Sequence, residues 1–371
     1  MKVGLYSPYI PKHFGGGEKH LLTTAWYLSQ NHQVEVLIPQ KDSANITDFR
    51  AKYEKMFDLD LQKVKFVPSA LATGKTNPLK TWQITHHYDV FFYLTDGSLF
   101  MSGAKKNILH IQMPFTSKAG KLFDWKLRCW DVKNANSQFT KDIVAQAWDT
   151  EVPYVHYPYA KIPDSRVVDG VRQPNILAVG RFINPFNNVA HSKHQEVLLE
   201  AFAAGRQQFG WKNWTLTLVG GIEPGDDHHD YVQTLKEKYA DLPVTWLHDI
   251  ADDELKKLYL ESSLFWHAAG YGVDEQSNPK QVEHFGMSTI EAMSYGLIPF
   301  VVPKGGLKEI ISNTENGFYF STPQDLAKKS QATMELPAKE IIKLRQAAYD
   351  QSKNFSLERF CSTIDNMIGV K

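Results

Sequence analysis

The stretch VEHFGMSTIEAMSYG, residues 282–296, reads as a loop that runs into a helix. Glu283 and Glu291 stand on either side of the expected helix start. Gly286 lies between them and lacks a Cβ, so the backbone there can approach a ligand closely. Ser288 is a favourable helix N-cap and the residues after it favour helix, which predicts that the helix begins at this serine.

A ligand can be inferred from the chemistry of such a helix start. The first turn of a helix carries unpaired N–H groups and a partial positive charge, so it attracts phosphate. Glu283 before the helix and Glu291 inside it can each bind sugar hydroxyls, one on each side of the phosphate. The spacing of the two glutamates alone is also typical of an ordinary capped surface helix. The Phe-Gly pair and the serine inside the spacing favour the ligand-binding interpretation.

The composition is that of an ordinary globular protein. The chain has 371 residues, 43% hydrophobic and 22% charged, and this length suggests two domains. The formal net charge is zero, which argues against nucleic acid as the main partner, because phosphate backbones require a basic surface. Cys129 and Cys361 stand in no metal or redox spacing. The apolar runs are too short for a signal peptide or a membrane span, so we expect a reduced, cytoplasmic setting.

Strand and helix patterns alternate through both halves of the chain. Lys2–Tyr6 reads as a buried strand, and a loop with Gly15-Gly16-Gly17 separates it from a helix. A Gly-rich turn at this place can cradle a diphosphate, although the GxGxxG spacing of dinucleotide sites is missing. Residues 160–175 are polar and without periodicity, which is typical of an interdomain linker. The alternation then resumes, so we predict an α/β protein with two doubly wound domains.

Polar side chains stand where strands of the predicted sheets end. His110 lies near the end of one strand, Arg181 directly follows another, and Lys193 precedes the next helix. In open α/β sheets, ligands bind at the carboxyl ends of strands. Two cations there could neutralise a diphosphate leaving group. A structural histidine, a surface arginine and a helix-start lysine remain the alternative interpretation.

Three further stretches have compositions that suggest a ligand or a surface. Asp58-Leu59-Asp60 matches a DxD metal pattern, but we expect only the polar end of a helix. Residues 226–230, DDHHD, resemble metal ligands by composition, and we expect a solvated loop because consecutive residues rarely converge on one ion. Lys118–Lys133 mixes basic and aromatic residues and could lie on an anionic membrane. Its irregular spacing favours a segment packed on the core.

Taken together, these motifs resemble the retaining glycosyltransferases of the GT-B fold, specifically family GT4, also called glycosyltransferase group 1. The resemblance covers nearly the whole chain, and its most specific element is residues 283–291, which match the family's E-x7-E motif. The segment Trp266–Gly296 loosely resembles eukaryotic mannosyltransferases that extend lipid-linked oligosaccharides. The supporting matches are Gly15-Gly16-Gly17-Glu18, His110, Asn136-Ser137-Gln138-Phe139-Thr140, Val179-Gly180-Arg181 with Lys193, Gly305-Gly306 and Asn316-Gly317-Phe318.

The resemblance implies a domain organisation and a donor site. Two Rossmann-like domains would face each other across a cleft, with an acceptor-side domain of residues 1–165 and a nucleotide-sugar-binding domain of residues 172–352. A C-terminal helix within residues 353–371 would cross back onto the first domain. The nucleotide base would lie near Gly220-Gly221 and His248-Asp249.

The resemblance also implies roles for individual residues. Those implied to act in catalysis are His110, Glu283, Arg181 and Lys193. Arg181 and Lys193 would hold the diphosphate, while Glu283 would bind the hexose and Glu291 the ribose. The backbone groups implied to bind the donor are those of Gly15, Gly16, Phe285, Gly286, Met287 and Ser288.

The activity implied is transfer of a hexose from a nucleotide-diphosphate sugar, of UDP-glucose or GDP-mannose type, to a glycan or a lipid-linked saccharide. The resemblance implies retention of the anomeric configuration, no metal and no further cofactor. The enzyme would be cytoplasmic, with peripheral contact at the inner face of a membrane as an open alternative. Two other functions stay open. One is a different nucleotide-sugar enzyme of this fold, such as an epimerase or a phosphorylase. The other is a non-catalytic protein that binds sugar nucleotides.

Overall fold

The computed structural model describes residues 1–11, 15–74, 76–164, 167–187 and 192–369. The chain divides into two compact units. The first comprises Met1–Pro158 and Glu358–Lys371, and the second comprises Tyr159–Leu357. The last helix is therefore part of the first unit although the second unit precedes it in the chain.

The first unit is built on seven parallel strands in the order β3-β2-β1-β4-β5-β6-β7. The fourth strand carries the sequence VFFYLT and is buried along its whole length, as a central parallel strand covered on both faces must be. Its elements in chain order are β1 (Lys2–Tyr6), α1 (Gly16–Ser29), β2 (Gln33–Ile38), α2 (Ile46–Phe57), β3 (Val64–Pro68), α3 (Pro78–Thr85), β4 (Val90–Thr95), β5 (Lys106–Ile111), α4 (Phe123–Leu127), β6 (Val132–Ala135), α5 (Gln138–Trp148) and β7 (Tyr154–Val155).

The second unit is built on six parallel strands in the order β10-β9-β8-β11-β12-β13. Its core includes the fully buried Phe202, Trp266 and Phe300. Its elements are β8 (Asn175–Val179), α6 (Gln195–Phe209), β9 (Thr215–Val219), α7 (Asp226–Lys238), β10 (Val244–Leu247), α8 (Asp252–Glu261), β11 (Leu264–His267), α9 (Met287–Ser294), β12 (Ile298–Val301), α10 (Leu307–Ile310), β13 (Phe318–Tyr319), α11 (Pro323–Met334) and α12 (Ala338–Ser352). The final helix, α13 (Leu357–Ile368), packs in the first unit.

The prediction of two doubly wound α/β domains is confirmed. Short 3-10 helices add to this framework at Gln40–Asn45, Leu71–Thr73, Pro185–Asn187, Pro279–Gln281 and Lys353–Phe355. Within the described ranges, the helices are all too short or too polar to span a membrane.

The three unusual stretches have different outcomes. Asp58 is the C-cap of α2 in the left-handed conformation, so the DxD pattern is the polar end of a helix, as predicted. The prediction of a solvated loop at residues 226–230 is wrong, because α7 begins at Asp226. Gly225, with a φ of 135°, turns the chain into this helix. Acidic side chains in a first turn are favourable next to the helix dipole.

The segment Lys118–Lys133 packs partly on the core. Phe123, Leu127 and Trp130 are buried, as expected for a segment covering the sheet. Trp125 in α4, in contrast, is 52% exposed, which is unusual for so large an apolar side chain.

Candidate active site

The second sheet has one position at which a ligand is expected from topology alone. Strands β8 and β11 are neighbours, and the strand order runs away from them in opposite directions. Doubly wound sheets bind ligands outside the carboxyl ends of the strands at such a switch point. Gly180-Arg181 follows β8, and His267 is the last residue of β11.

The carboxylate of Glu283 is held between two nitrogen groups at this point. Lys193 Nζ forms an ion pair with Glu283 Oε2, and His267 Nε2 lies 3.1 Å from the same oxygen. The side chains of Lys193 and Glu283 are only 18% and 14% exposed. The pair is thus shielded from solvent, and its geometry is better defined than that of a surface ion pair.

His267 is a neutral hydrogen-bond donor in this arrangement. Burial first, and the charge of Lys193 second, lower the pKa of His267 to about 4, although the carboxylate of Glu283 opposes both effects. A carboxylate accepts only, so the proton of the neutral imidazole is on Nε2. His267 was missed although it carries the signal that indicated His110, a histidine at the end of a predicted strand.

Lys193 reaches Glu283 because a glycine leaves room for its stem. A Cβ on Gly180 would lie 2.7 Å from Lys193 Cγ. The glycine at the end of β8 therefore leaves the space in which the Lys193 side chain lies. Arg181 itself is 56% exposed and pairs with Glu223 at 2.5 Å, so the structure does not bring the two predicted cations to the same carboxylate.

A glycine pair holds the backbone of Glu283. The N–H of Gly306 donates to the carbonyl oxygen of Glu283 at 2.9 Å. A Cβ on Gly305 would lie 2.0 Å from that oxygen, and Gly305 has a φ of 57°. Gly305-Gly306 was recognised as a family match without a role, and the structure shows that the pair positions the loop before α9.

The helix of the opening motif begins earlier than predicted. The N-cap of α9 is Gly286, with a φ of 117°, so the prediction that Ser288 caps this helix is wrong. The left-handed conformation, which glycine adopts most readily, places the cap two residues earlier. Its N-cap residue, Gly286, contributes no side-chain hydrogen bond. A helix start whose N-cap brings no side-chain oxygen of its own suits a phosphate.

The other residues of this motif that were predicted to bind the donor differ in burial and in their contacts. Phe285 is buried and packs edge-to-face on Phe355, while Met287 and Ser288 are half-buried. Tyr259 Oη lies 3.4 Å from Glu291 Oε2. Burial and the charge of Glu291 raise the pKa of Tyr259 well above its ordinary value, so the phenol donates to the carboxylate.

The two strand ends predicted to hold the nucleotide base lie next to each other. His248 Nδ1 lies 3.2 Å from the carbonyl oxygen of Gly220, and a Cβ on Gly221 would lie 2.8 Å from Asp249 Oδ1. The structure therefore brings these two strand ends together. Residues 188–191, within the insertion before Lys193, lie outside the described part of the chain.

In the first unit, His110 belongs to a cluster of three buried histidines. Its ring stacks on that of His20 with centroids 3.8 Å apart, and His20 Nε2 lies 3.0 Å from His156 Nδ1. His110 Nδ1 contacts Asn134 Oδ1, its cross-strand neighbour, and Gln112 Nε2 lies 3.1 Å from His110 Nε2. The sequence analysis singled out His110 alone and missed its two partners.

The hydrogen bonds assign the proton of each imidazole. Burial lowers the pKa of His110 to about 4, and burial likewise lowers the pKa values of His20 and His156 well below the ordinary range. The carbonyl oxygen of Phe360, 3.1 Å from His156 Nε2, accepts only, so neutral His156 carries its proton there. His156 Nδ1 then accepts from His20 Nε2. His110 carries its proton on Nδ1, next to Asn134.

The same cluster can be tested as a metal site. Ligand atoms of His20, His110 and His156 lie within 4.8 Å of one another, so distance alone would permit an ion. Two of the rings are stacked face to face, and each ring nitrogen except His20 Nδ1 has a hydrogen-bond partner. The lone pairs consequently do not converge on one centre, and the cluster is better described as a neutral hydrogen-bonded network.

The glycine-rich loop of the first unit holds a carboxylate of its own. The N–H of Gly15 donates to Glu18 Oε2 at 2.7 Å, and Glu18 is buried. This N–H, which we expected to contact the diphosphate, is therefore occupied. Gly16 is exposed at the first position of α1, and residues 12–14 lie outside the described part of the chain.

We expect the histidine cluster to make stability depend on pH. The unfolded chain protonates these histidines below about pH 6.5, whereas the folded chain does so only at much lower pH. The free energy of unfolding should keep its full value above about pH 6.5. It should then decrease towards pH 4, by up to about 1.4 kcal/mol per pH unit for each histidine. Urea unfolding at pH 7, 6 and 5 measures this slope.

His20→Phe should make the slope shallower, since one titrating group is lost. His87→Gln is the matched control, because His87 is exposed. Equal slopes for the two variants would contradict the assignment of a neutral cluster.

Comparison with known proteins defines the class of fold. The Anabaena protein HepE, solved with UDP and glucose, aligns over 100% of both chains with a TM-score of 0.69 and 18% identity. The two Rossmann-like units thus form the GT-B fold of glycosyltransferases, as the sequence analysis predicted. Residues 173–355 match the model described as glycosyl transferases group 1. This segment, which contains Lys193, Glu283 and Glu291, belongs to that family.

Two curated relatives are mannosyltransferases. One is the GDP-Man:Man(3)GlcNAc(2)-PP-Dol alpha-1,2-mannosyltransferase of Dictyostelium discoideum, 26% identical over 238 residues, which are 61% of this chain and 44% of the relative. The other is an alpha-1,3/1,6-mannosyltransferase of Candida glabrata, 27% identical over 216 residues, 51% of this chain and 46% of the relative. The chain thus spans less than half the length of these relatives.

Proposed function

We propose that the chain transfers a hexose from a nucleotide-diphosphate sugar to a hydroxyl of a glycan or lipid-linked saccharide, with retention and without a metal. The observation that carries this proposal is the carboxylate of Glu283, held by Lys193 and His267 directly before the start of α9, whose N-cap is Gly286. A fixed acceptor for sugar hydroxyls thus stands beside a cation and a helix dipole.

Charge explains how this arrangement would act. Breaking the bond between the anomeric carbon and oxygen leaves negative charge on the diphosphate. The ammonium of Lys193 and the N–H groups at the start of α9 can stabilise that charge where it develops. Arg181, half exposed in its pair with Glu223, can turn to the same phosphate at little cost, because exposed ion pairs contribute little.

The surroundings of Glu283 favour retention without a covalent intermediate. Its carboxylate is neutralised by Lys193 and hydrogen-bonded by His267, and both contacts weaken a nucleophile. The acceptor hydroxyl would then attack from the face that the leaving phosphate occupies, and that phosphate would accept its proton. Glu283 would bind hexose hydroxyls, and Glu291 would bind the ribose.

GDP-mannose is the donor that we place first. The support is the mannosyltransferase relatives, one of which names GDP-Man as its donor. UDP-glucose comes second, because HepE was solved with UDP and glucose at lower identity. We place the reaction on the cytoplasmic side, where a lipid-linked acceptor would require peripheral membrane contact.

A nucleotide panel followed by a donor assay tests the function. In a thermal-shift series of GDP, UDP, ADP and their sugars, one base should raise the Tm in proportion to ligand concentration. The matching labelled donor should then be hydrolysed or transferred at the same rate with and without EDTA. Failure of every nucleotide to raise the Tm would contradict the proposal. An absolute metal requirement would contradict its metal-independent form.

The same assay separates the alternatives. Epimerised sugar nucleotide as the product would indicate an epimerase. Saturable binding of a donor without turnover, across a range of acceptors, would indicate a non-catalytic sugar-nucleotide-binding protein.

A further inference from the structure

The first unit contains a cavity of about 440 Å³ that no role described above uses. It lies at the carboxyl ends of β1 and β4, which are neighbours at the switch point of the first sheet. Its volume falls within the roughly 300–1,000 Å³ typical of small-molecule sites. The residues on which the argument depends are Tyr6, Asp96, Ser98, Thr76, Thr81 and Trp125.

Tyr6 places a phenol in the wall of this cavity. The residue is only 6% exposed, and its ring stacks on Tyr93 with centroids 5.5 Å apart. Among the described residues, none is hydrogen-bonded to Tyr6 Oη. Burial first, and the charge of Asp96 second, raise the pKa of Tyr6 to about 12, so the phenol stays protonated. A hydroxyl on a cavity wall without a protein partner is a donor available to a ligand.

Asp96 supplies an oriented acceptor on the same cavity. Its Oδ1 accepts from the N–H of Ser98 at 3.0 Å, from Ser98 Oγ at 2.6 Å and from Tyr93 Oη at 3.2 Å. These three bonds fix the plane of the carboxylate. In the described part of the chain, no group is hydrogen-bonded to Asp96 Oδ2. That oxygen can accept a ligand hydroxyl without losing an existing bond.

An aromatic face and further hydroxyls complete the lining. Trp125 is 52% exposed and lines the cavity, which explains why so large an apolar side chain is not buried with its neighbours Phe123 and Leu127. Thr81 Oγ1 donates to Thr76 Oγ1 at 2.8 Å on another wall. A saccharide combines an apolar C–H surface with many hydroxyls in one molecule. The indole face of a tryptophan packs well on such a C–H surface.

The charges of the described lining favour a neutral bound group over a phosphorylated one. Within the described part of the chain, the charged lining residues are Asp96 and Lys126, one of each sign. Helix α3 begins at the cavity with Pro78, which has no N–H, and the side chain of Asn77 already accepts from the N–H of Lys80. The N-terminus of this helix is therefore capped and offers little to an anion.

We propose that this cavity binds the neutral terminal sugar of the acceptor saccharide, with Tyr6 donating to a hydroxyl, Asp96 Oδ2 accepting from one and Trp125 packing on the sugar face. This inference rests on the proposed function, since it assigns the acceptor of that reaction. It assigns the acceptor's neutral end to the first unit and leaves any phosphate or lipid of the acceptor outside the cavity.

Binding without a donor tests the inference directly. The probes are neutral mannose- and glucose-containing di- and trisaccharides, together with mannose 6-phosphate, measured by saturation-transfer NMR on the full chain. At least one neutral saccharide should bind the wild type more tightly than the sugar phosphate does. Binding of none of the neutral saccharides, or tighter binding of the phosphate, would overturn the proposal.

Three substitutions locate the bound sugar. Tyr6→Phe keeps the ring stack and removes one hydroxyl, so the Kd should rise by about tenfold, and Asp96→Asn should raise it at least as much. Trp125→Ala should raise it by a similar factor. The controls are Asp48→Asn and Leu79→Ala, both at exposed positions outside the cavity lining, which should leave the Kd unchanged. If all three cavity variants bind within twofold of the wild type, the cavity is not the site.

Donor hydrolysis without an acceptor separates this inference from the proposed function. The cavity variants should hydrolyse the donor at the wild-type rate and lose only transfer to the saccharide. If the wild type neither binds nor hydrolyses any donor, the proposed function fails while saccharide binding still decides the role of the cavity.

Discussion

Glu283→Gln should lower kcat/KM for the donor by about 100-fold or more, because a neutral amide binds sugar hydroxyls less strongly and leaves Lys193 without its counter-charge. Glutamine preserves the size of the side chain and its contact with His267. The fold should therefore persist, with a loss of about 1–3 kcal/mol in the free energy of unfolding. Steady-state kinetics with the donor identified by the nucleotide panel, paired with urea unfolding, measure both effects.

Glu254→Gln is the matched control for this substitution. Glu254 is an exposed residue in the first turn of α8 in the same unit, and its replacement should leave the kinetics unchanged. A Glu283→Gln enzyme that keeps half of the wild-type kcat/KM would show that the carboxylate is structural, and the site assignment would have to be abandoned.

Gly305→Ala should be the most damaging single-methyl change in the second unit. The added Cβ would lie 2.0 Å from the carbonyl oxygen of Glu283, a distance that real Cβ atoms essentially never show. The obstacle is backbone, so the loop before α9 has to move, and Glu283 moves with it. We expect a loss of about 3 kcal/mol or more in stability and at least about a tenfold lower kcat/KM.

Gly210→Ala separates this steric effect from the cost of the left-handed backbone. Gly210 has a φ of 68° at the C-cap of α6, close to the 57° of Gly305, but nothing lies within 4 Å of its added Cβ. That variant should lose only about 1 kcal/mol and retain its activity. If both alanine variants lose the same stability, the close approach to Glu283 has no energetic importance.

The histidine cluster shows where reasoning along the chain reached its limit. His110 was identified because it stands near the end of a predicted strand. His20 lies in α1 and His156 follows β7, so nothing local relates them. They meet because β5 and β7 are separated in the sheet by β6 alone, and α1 packs against the same sheet. The same order of strands makes Asn134 the neighbour of His110.

The cavity of the first unit has the same origin. Tyr6 ends β1 and Asp96 directly follows β4; these strands are far apart in the chain and pair only in the folded sheet. The sequence analysis assigned no role to either residue. It considered Trp125 only as part of a segment for the core or a membrane, since irregular spacing does not show which side chain will be exposed.

From its amino-acid sequence alone, this protein could be recognised as two doubly wound domains with a Glu-x7-Glu motif at a helix start. Buried strands, glycine turns and helix-forming runs act over a few residues, and local patterns carry that information. Only the tertiary structure decided that Lys193 and His267 meet on Glu283, that Gly286 rather than Ser288 begins the helix, and that Gly305-Gly306 fix its loop. These contacts join distant segments, and the order and register of the strands determine which of those segments become neighbours.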